Sequence, residues 1–239
     1  MLITRRHFAA LFVLAFCQIA VTALPARAED AKPFITAKEL DLTKFLAPPP
    51  ANDSAQTKAE LAEVLTLQVT RTPEMVARAQ ADAEENVWRF ADVLGPKFTK
   101  EALPKTDAFF ARVAETEGAV VDPAKDVWKR PRPHLYSNLV KPVVPLSKSG
   151  SYPSGHATVG TLMAIVLSNM VPEKRAELMA CGWEYANNRV IGGIHYRSDI
   201  EAGRIAGSLI AEAIWNQSDF AAEFAAAKAE LRAALGLQS

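Results

Sequence analysis

One pattern recurs along most of this chain: a capping residue, apolar side chains at intervals of three and four residues, and then a break. The first such segment starts at Asp53 or Ser54 and extends to about Val69, and either side chain can cap a helix. A second segment starts at Thr72 and keeps its apolar spacing until Gly95. The spacing predicts one helix over each segment.

The rest of the chain carries similar helix signals and few strand signals. A helix is expected to begin near Pro104, to be interrupted at Gly118 and to restart near Asp122 or Pro123. The chain has no sustained alternation of apolar and polar residues and no Asn-Gly or Asp-Gly hairpin turn. These signals predict an all-α fold, and the length suits a single-domain helical bundle.

Residues 1–28 have the organisation of a secretory signal peptide. Arg5 and Arg6 precede an apolar stretch, which is followed by a small-x-small site ending at Ala28. The stretch is shorter than the roughly 20 residues that a membrane span needs. We therefore expect cleavage near Ala28, export to the periplasm and a helical domain over residues 29–239. The paired arginines suit a twin-arginine signal as well as an ordinary one.

The charge balance narrows the choice of partners. Without Arg5, Arg6 and Arg27, the 27 basic residues fall to 24 against 27 acidic ones, a net charge of −3. This balance argues against nucleic acid or an anionic membrane as the main partner. No apolar run after the signal is long enough to span a bilayer, which predicts no stable membrane insertion. Cys181 is the only cysteine after the signal and cannot form an intrachain disulfide.

The block Gly-Ser-Tyr-Pro-Ser-Gly-His over residues 150–156 predicts an anion site. The block leads into a long apolar stretch, and Pro153 suits the first turn of a helix there. Ser154, Gly155 and His156 would then lie at the helix N-terminus, where unpaired backbone N–H groups and the helix dipole attract anions. The alternative is a capped helix whose histidine has no chemical role.

Two further clusters carry charge and a second histidine. Lys125 and Arg132 are seven residues apart, close to two helical turns, so they are expected to share a face and can clamp a phosphate. His195 and Asp199 are four residues apart and are expected to meet on a helix, near Arg189. Asp199 can accept the Nδ1 proton of His195 and leave Nε2 free as a nucleophile or base. The alternatives are a solvated basic face and a surface pair.

Together the clusters hold two histidines, a carboxylate, three cations and a helix N-terminus, a combination suited to phosphoryl transfer. In order and spacing they resemble the three-part motif of the type 2 phosphatidic acid phosphatase superfamily. Residues 150–156, the signal peptide and the chain length also resemble the class A bacterial non-specific acid phosphatases. One residue departs from the motif, because Asn188 stands where the superfamily has serine. The motif segments read Lys125…Arg132-Pro133, Pro153-Ser154-Gly155-His156 and Asn188-Arg189…His195…Asp199.

The resemblance implies an acid phosphatase that hydrolyses small phosphomonoesters through a phosphohistidine. His195 would be the nucleophile, Asp199 would orient its ring, and His156 would protonate the leaving group and then activate water. The resemblance also implies an acidic pH optimum, phosphate transfer to alcohols and self-association. The implied phosphate-binding residues are Lys125, Arg132, Ser154, Gly155 and Arg189.

Other functions are open from the sequence. The resembling vanadium haloperoxidases use the same clusters to hold vanadate, and a lipid phosphatase would use the same chemistry on a membrane substrate. A non-catalytic phosphate-binding protein would need no nucleophilic histidine. No metal or other cofactor is expected, because His134, His156 and His195 show no close ligand spacing.

Overall fold

The described part of the chain is built from helices. The computed structural model describes residues 31–238, and none of these residues forms a β-strand, which confirms the all-α prediction. The predicted signal peptide lies outside the described residues. The helices are α1 (Ala55–Thr70), α2 (Pro73–Ala81), α3 (Ala91–Leu94), α4 (Pro104–Trp128), α5 (Pro133–Tyr136), α6 (Gly155–Met170), α7 (Arg175–Ile191), α8 (Arg197–Ile214) and α9 (Ser218–Leu235).

Helix α6 is the central element of the core. Thirteen of its 16 residues are buried, as expected of a helix that is apolar on all sides. It packs mainly against α7 and α8. A Cβ at Gly203 or Gly207 of α8 would lie 2.6 Å from the carbonyl oxygen of Ser154 or Thr158, respectively, so these glycines allow a close approach. This contact places the start of α8 against the start of α6, where the motif residues lie.

The first two predicted helix starts are confirmed, but the second helix is shorter than predicted. The hydroxyl of Ser54 caps α1, and the hydroxyl of Thr72 caps α2. The predicted helix from Thr72 to Gly95 is wrong beyond Ala81, where α2 ends. The chain then makes a short 3-10 turn over Val87–Phe90 and continues as α3.

Asp82 explains why α2 ends where it does. Its carboxylate is fully buried and accepts hydrogen bonds from Arg89 Nε at 2.9 Å and Asn188 Nδ2 at 2.6 Å. A buried carboxylate needs such donors, and they come from side chains outside α2. Residues 82–86, here called the 82–86 segment, therefore leave the helix and run against α6 and α7.

Helix α4 is continuous, so the predicted interruption at Gly118 is wrong. Pro123 lies inside the helix and has no N–H to donate to the carbonyl of Ala119. The N–H of Ala37 donates to that carbonyl instead, at 3.1 Å. A segment distant in sequence thus supplies the hydrogen-bond donor that the proline cannot give to this backbone carbonyl.

Lys125 and Arg132 do not share a helical face, contrary to the spacing argument. Helix α4 ends at Trp128, because Lys129 adopts a left-handed conformation with φ of 47°. The chain then changes direction, and Arg132 lies just before α5. The two residues belong to different elements and approach each other only through the tertiary fold.

Two other helical placements need correction. Pro153 does not lie in the first turn of α6, because Ser154 is the capping residue and the helix begins after it. His195 precedes α8, whereas Asp199 lies in the first turn of that helix. The His195–Asp199 pair therefore spans a helix start instead of lying along a helix.

Candidate active site

A cavity of about 450 Å³ lies at the N-terminus of α6. Its wall combines α4, the loop before α6, the start of α6 and the end of α7. Two predicted site residues, Ser154 and Asp199, are buried but do not line the cavity. The predicted site residues that line it are Lys125, Arg132, Gly155, His156, Arg189 and His195.

His195 is buried, and each ring nitrogen has a defined partner. Nδ1 lies 3.3 Å from Asp199 Oδ2, and Nε2 lies 3.0 Å from Arg132 Nη1. A guanidinium can only donate, so Nε2 carries the lone pair and Nδ1 carries the proton. Burial lowers the pKa of His195 well below its usual value, and the charges of Arg132 and Arg189 lower it further. The ring is thus a neutral imidazole whose unprotonated Nε2 faces Arg132, and both residues line the cavity.

Asp199 is held by donors on both carboxylate oxygens. Oδ1 accepts from Arg130 Nη1 at 2.6 Å, and Oδ2 accepts from Ser151 Oγ at 2.5 Å and from the Tyr196 N–H at 2.8 Å. Burial raises the pKa of Asp199, while Arg130 and the hydrogen bonds oppose this rise. The carboxylate cannot rotate without breaking these bonds, so it fixes the orientation of His195.

Arg130 connects the site to helix α1. Its Nη2 donates to Glu60 Oε2 at 3.0 Å, and the Ser198 hydroxyl donates to the same oxygen at 2.8 Å. The guanidinium also lies 4.3 Å from the centre of the Tyr196 ring. Arg130 therefore joins two buried carboxylates, Glu60 and Asp199, that lie on different helices.

Arg132 and Lys125 reach the cavity from neighbouring elements. Arg132 donates to the carbonyl oxygens of Ser149 at 3.0 Å and Ile194 at 3.2 Å, which holds the guanidinium in place. Burial lowers the pKa of Arg132 from its high usual value. The ammonium of Lys125 lies 3.0 Å from Asp122 Oδ1. Asp122 is largely exposed, so Lys125 can turn to a phosphate at little cost.

Arg189 adds a third cation, from α7. Its Nη1 donates to the carbonyl oxygens of Ala79 at 3.4 Å and Asp82 at 3.2 Å. Its Nε has no hydrogen-bond partner among residues 31–238. Burial lowers the pKa of Arg189 to about 10, so the guanidinium keeps its charge at acidic and neutral pH. A buried donor beside the cavity can therefore serve a phosphate oxygen.

The N-terminus of α6 forms another part of the cavity wall. Ser154 Oγ accepts from the Ala157 N–H at 3.3 Å, which makes Ser154 the helix cap. The N–H of Ser154 donates to the carbonyl of Asp199 at 3.0 Å and ties the two helix starts together. Gly155, the first residue of the helix, lines the cavity, where the helix dipole favours an anion.

His156 has an acceptor at each ring nitrogen. Nδ1 lies 2.7 Å from Glu85 Oε1, and Nε2 lies 3.1 Å from the carbonyl oxygen of Ala83. Both partners are oxygen atoms that can accept a hydrogen bond from the ring. Burial by itself raises the pKa of Glu85. The hydrogen bond from His156 and the charges of Lys125 and Arg189 have a larger opposite effect, so the net pKa of Glu85 is lowered. His156 and Glu85 are thus within hydrogen-bond distance of each other at the cavity.

Comparison with known proteins agrees with the motif. The PAP2 superfamily model matches residues 110–222. A non-specific acid phosphatase of Salmonella typhimurium is 34% identical over 192 residues, which cover 76% of this chain and 77% of that protein. The chain belongs to the PAP2 superfamily. Its similarity over most of its length is to the bacterial non-specific acid phosphatases, as the motif predicts.

Solved structures share the PAP2 fold at low identity. A bacterial vanadium-dependent chloroperoxidase has a TM-score of 0.60 at 11% identity, covering 87% of this chain and 54% of that one. A PAP2 type phosphatidylglycerolphosphate phosphatase from Bacillus subtilis has a TM-score of 0.53 at 19% identity, covering 77% of this chain and 97% of that one. That phosphatase is described as transmembrane, whereas no helix within residues 31–238 of this chain is long and apolar enough to cross a membrane.

The residue that departs from the PAP2 motif lies away from the cavity. Asn188 is buried and donates to Asp82 Oδ2, and it does not line the cavity. The 82–86 segment that it holds carries two partners of His156, namely Ala83 and Glu85. Asn188 therefore contacts the segment that carries the partners of His156 and does not itself line the cavity.

Four residues of the PAP2 site were not predicted from the sequence. Arg130 lies between Lys125 and Arg132 of the first motif segment, and Ser151 lies in the block 150–156. A buried-partner argument for Asp199 could have pointed to both. Glu85 and Glu117 line the cavity but carry no local signal, because ordinary solvated helix faces also contain glutamates.

Proposed function

We propose that the chain is a metal-independent acid phosphatase that hydrolyses phosphomonoesters through a phosphohistidine at His195. The observation that carries this proposal is the state of His195, whose unprotonated Nε2 faces Arg132 and which lines a cavity together with three cations, Lys125, Arg132 and Arg189. The 34% identity to a non-specific acid phosphatase supports the same activity. A non-catalytic phosphate-binding protein would not need a fixed, neutral imidazole there.

In the first step, Nε2 attacks phosphorus and the bond to the leaving oxygen breaks. Lys125, Arg132 and Arg189 neutralise the charge on the three non-bridging oxygens, and the Gly155 N–H and the helix dipole add to them. Asp199 stabilises the positive charge that develops on the ring of His195. Ser154 does not line the cavity, so in this proposal it acts by capping α6 and thereby fixing the position of the Gly155 N–H.

His156 supplies the proton that the leaving alkoxide needs. The substrate must take the place of either Glu85 or Ala83 at one ring nitrogen, and the exposed Glu85 side chain is the easier to displace. Neutral His156 then accepts a proton from water as that water attacks the phosphohistidine. The P–N bond breaks, its electron pair returns to Nε2, and phosphate leaves.

Two further properties follow from the same mechanism and from the N-terminal sequence. An alcohol that replaces water in the second step would receive the phosphoryl group, so the enzyme would also be a phosphotransferase. Residues 1–28 would direct export and be removed, leaving residues 29–239 in the periplasm. Edman sequencing of the protein from a periplasmic extract would locate the cleavage site.

The test of the proposed function is hydrolysis of p-nitrophenyl phosphate at about pH 5.5 in the presence of EDTA. We expect turnover by the wild-type protein, inhibition by vanadate, and a loss of activity of at least about a thousandfold in His195→Ala. His134→Ala is the matched control, because His134 does not line the cavity, and it should retain activity.

Two results would contradict the proposal. A folded wild-type protein that binds phosphate without turnover would be a phosphate-binding protein. Vanadate-dependent bromide oxidation in place of hydrolysis would instead assign the haloperoxidase reaction. The chloroperoxidase likeness at 11% identity extends to the fold alone, so we expect hydrolysis.

A further inference from the structure

Glu117 has no role in the mechanism above, yet its side chain lines the same cavity. It lies on α4, eight residues before Lys125, and is only 5% exposed. Its Oε1 has no hydrogen-bond partner among residues 31–238. A buried polar atom without a partner beside a binding cavity is unusual and points to a ligand that would supply the partner.

The carboxyl of Glu117 adjoins the place where phosphate is expected. A Cβ built on Gly155 would lie 2.8 Å from Glu117 Oε1 and 3.1 Å from Lys125 Nζ. The carboxyl, the ammonium and the N-terminus of α6 therefore meet at one point of the cavity wall. Gly155 leaves this point open, because a larger residue would push against both side chains.

The charged groups around Glu117 come from several elements. Asp122, Glu115 and Lys125 lie on α4 with it, and Glu85 comes from the 82–86 segment. Burial raises the pKa of Glu117 to about 8, the negative charges of Glu85, Asp122 and Glu115 raise it further, and Lys125 opposes them. His156, Arg132, Arg189 and His195 also line the cavity.

We propose that Glu117 binds phosphate as a neutral carboxylic acid, donating its O–H to a phosphate oxygen held between Lys125 and the N-terminus of α6. The proposal rests on the proposed function, because it assumes that phosphate occupies this cavity. Loss of the proton replaces a donor with a negative charge next to the phosphate dianion and next to Lys125. Ionised Glu117 would then expel phosphate and compete for the lysine, which sets an upper pH limit on binding.

The expected consequence is a steep pH dependence of phosphate affinity. Inorganic phosphate is almost entirely the dianion above about pH 8, so its own charge changes little in that range. If phosphate binds only when Glu117 is protonated, the Kd for phosphate rises about tenfold per pH unit above the pKa of Glu117.

Calorimetric titration with inorganic phosphate between about pH 8 and 9.5 tests the proposal without relying on turnover. Glu117→Gln keeps a donor but cannot ionise, so its Kd should change by less than about threefold over the range in which the wild-type Kd rises by more than tenfold. Glu115→Gln is the control, because Glu115 also lines the cavity but is exposed. Glu115→Gln should keep the steep rise of the Kd for phosphate, starting at a slightly lower pH, because the charge of Glu115 helps to raise the pKa of Glu117.

A second measurement covers the case in which Glu117→Gln does not fold. Titrations of the wild-type protein in buffers of different ionisation enthalpy give the number of protons taken up on binding. At about pH 8.5 we expect uptake approaching one proton, and uptake near zero would overturn the proposal.

The outcomes separate this proposal from the proposed function. Identical pH dependence in the wild type and Glu117→Gln would overturn the role of Glu117 and leave hydrolysis untouched. Phosphate binding without turnover would overturn the phosphatase and leave the role of Glu117 standing if the pH dependence is as expected. Failure of the wild type to bind phosphate at any pH would overturn both.

Discussion

The chemistry of this site depends on which nitrogen of His195 carries a proton. Asp199 accepts at Nδ1, Arg132 donates at Nε2, and burial with the nearby guanidinium groups lowers the pKa of the ring. These contacts select one tautomer, and the lowered pKa favours its neutral form. In the proposed mechanism, the nucleophilic nitrogen is therefore protonated less readily than that of a free histidine.

Asp199→Asn tests the importance of the tautomer. The amide keeps the shape of the carboxylate, but its NH₂ group can donate to Nδ1, which would move the proton to Nε2 and block attack. We expect kcat on p-nitrophenyl phosphate to fall by about 10³–10⁴-fold, as when a triad aspartate is replaced. Circular dichroism should show an intact fold, and a loss of less than about tenfold would contradict this account.

At the scale of elements, close packing of α8 on α6 brings the motif segments together. Gly203 and Gly207 allow α8 to approach the backbone of α6, so that Ser154 and Asp199 become hydrogen-bonded neighbours. Helix α4 contributes Lys125 and Glu117 to the same place from another direction. The site is therefore sensitive to small changes in helix separation.

Replacing helical glycines should have opposite effects at two positions. In Gly207→Ala the new Cβ would lie 2.6 Å from the Thr158 carbonyl oxygen, so we expect a loss of about 1–3 kcal/mol in the free energy of unfolding. In Gly118→Ala the nearest neighbouring atom, Asp122 Oδ2, is 3.9 Å away. The higher helix propensity of alanine should then stabilise the protein by about 0.5–1 kcal/mol. Urea unfolding measures both, and equal effects would contradict the packing argument.

At the scale of the whole molecule, buried ionisable groups couple the stability of the fold to pH. Glu117 has an ordinary value of 4.5 in the unfolded chain and a pKa of about 8 in the folded protein. At pH values between these two, the folded state binds the proton of Glu117 more tightly than the unfolded chain does. The contribution of Glu117 to stability is therefore fully present below about pH 4.5 and is lost as the pH rises to about 8.

Comparison of Glu117→Gln with the wild type isolates this contribution, because His195 and Asp199 titrate in both proteins. We expect the variant to gain stability relative to the wild type as the pH rises from about 4.5 to 8, by at most about 1.4 kcal/mol per pH unit. Urea unfolding at several pH values measures the difference. A difference that does not vary with pH would mean that Glu117 ionises freely in the folded protein.

Local signals were enough to predict the helical class, the caps at Ser54 and Thr72, and the motif residues. Capping and helical periodicity depend on residues at most a few positions apart, so they can be read along the chain. The same reasoning failed at Gly118 and beyond Ala81. There the backbone or side-chain partners come from Ala37 and Asn188, which are distant in sequence.

The sequence by itself determined which chemical groups this protein possesses, and the tertiary structure alone decided what each of them does. Arg132 and Asp199 select the tautomer of His195 by contacting it from separate elements. In the sequence, Glu117 cannot be distinguished from a solvated helical glutamate. Only in the folded protein does packing against the start of α6 bury its side chain and exclude water. Protonation depends on solvent exclusion and on charges within a few ångströms, and both arise only when distant segments pack together.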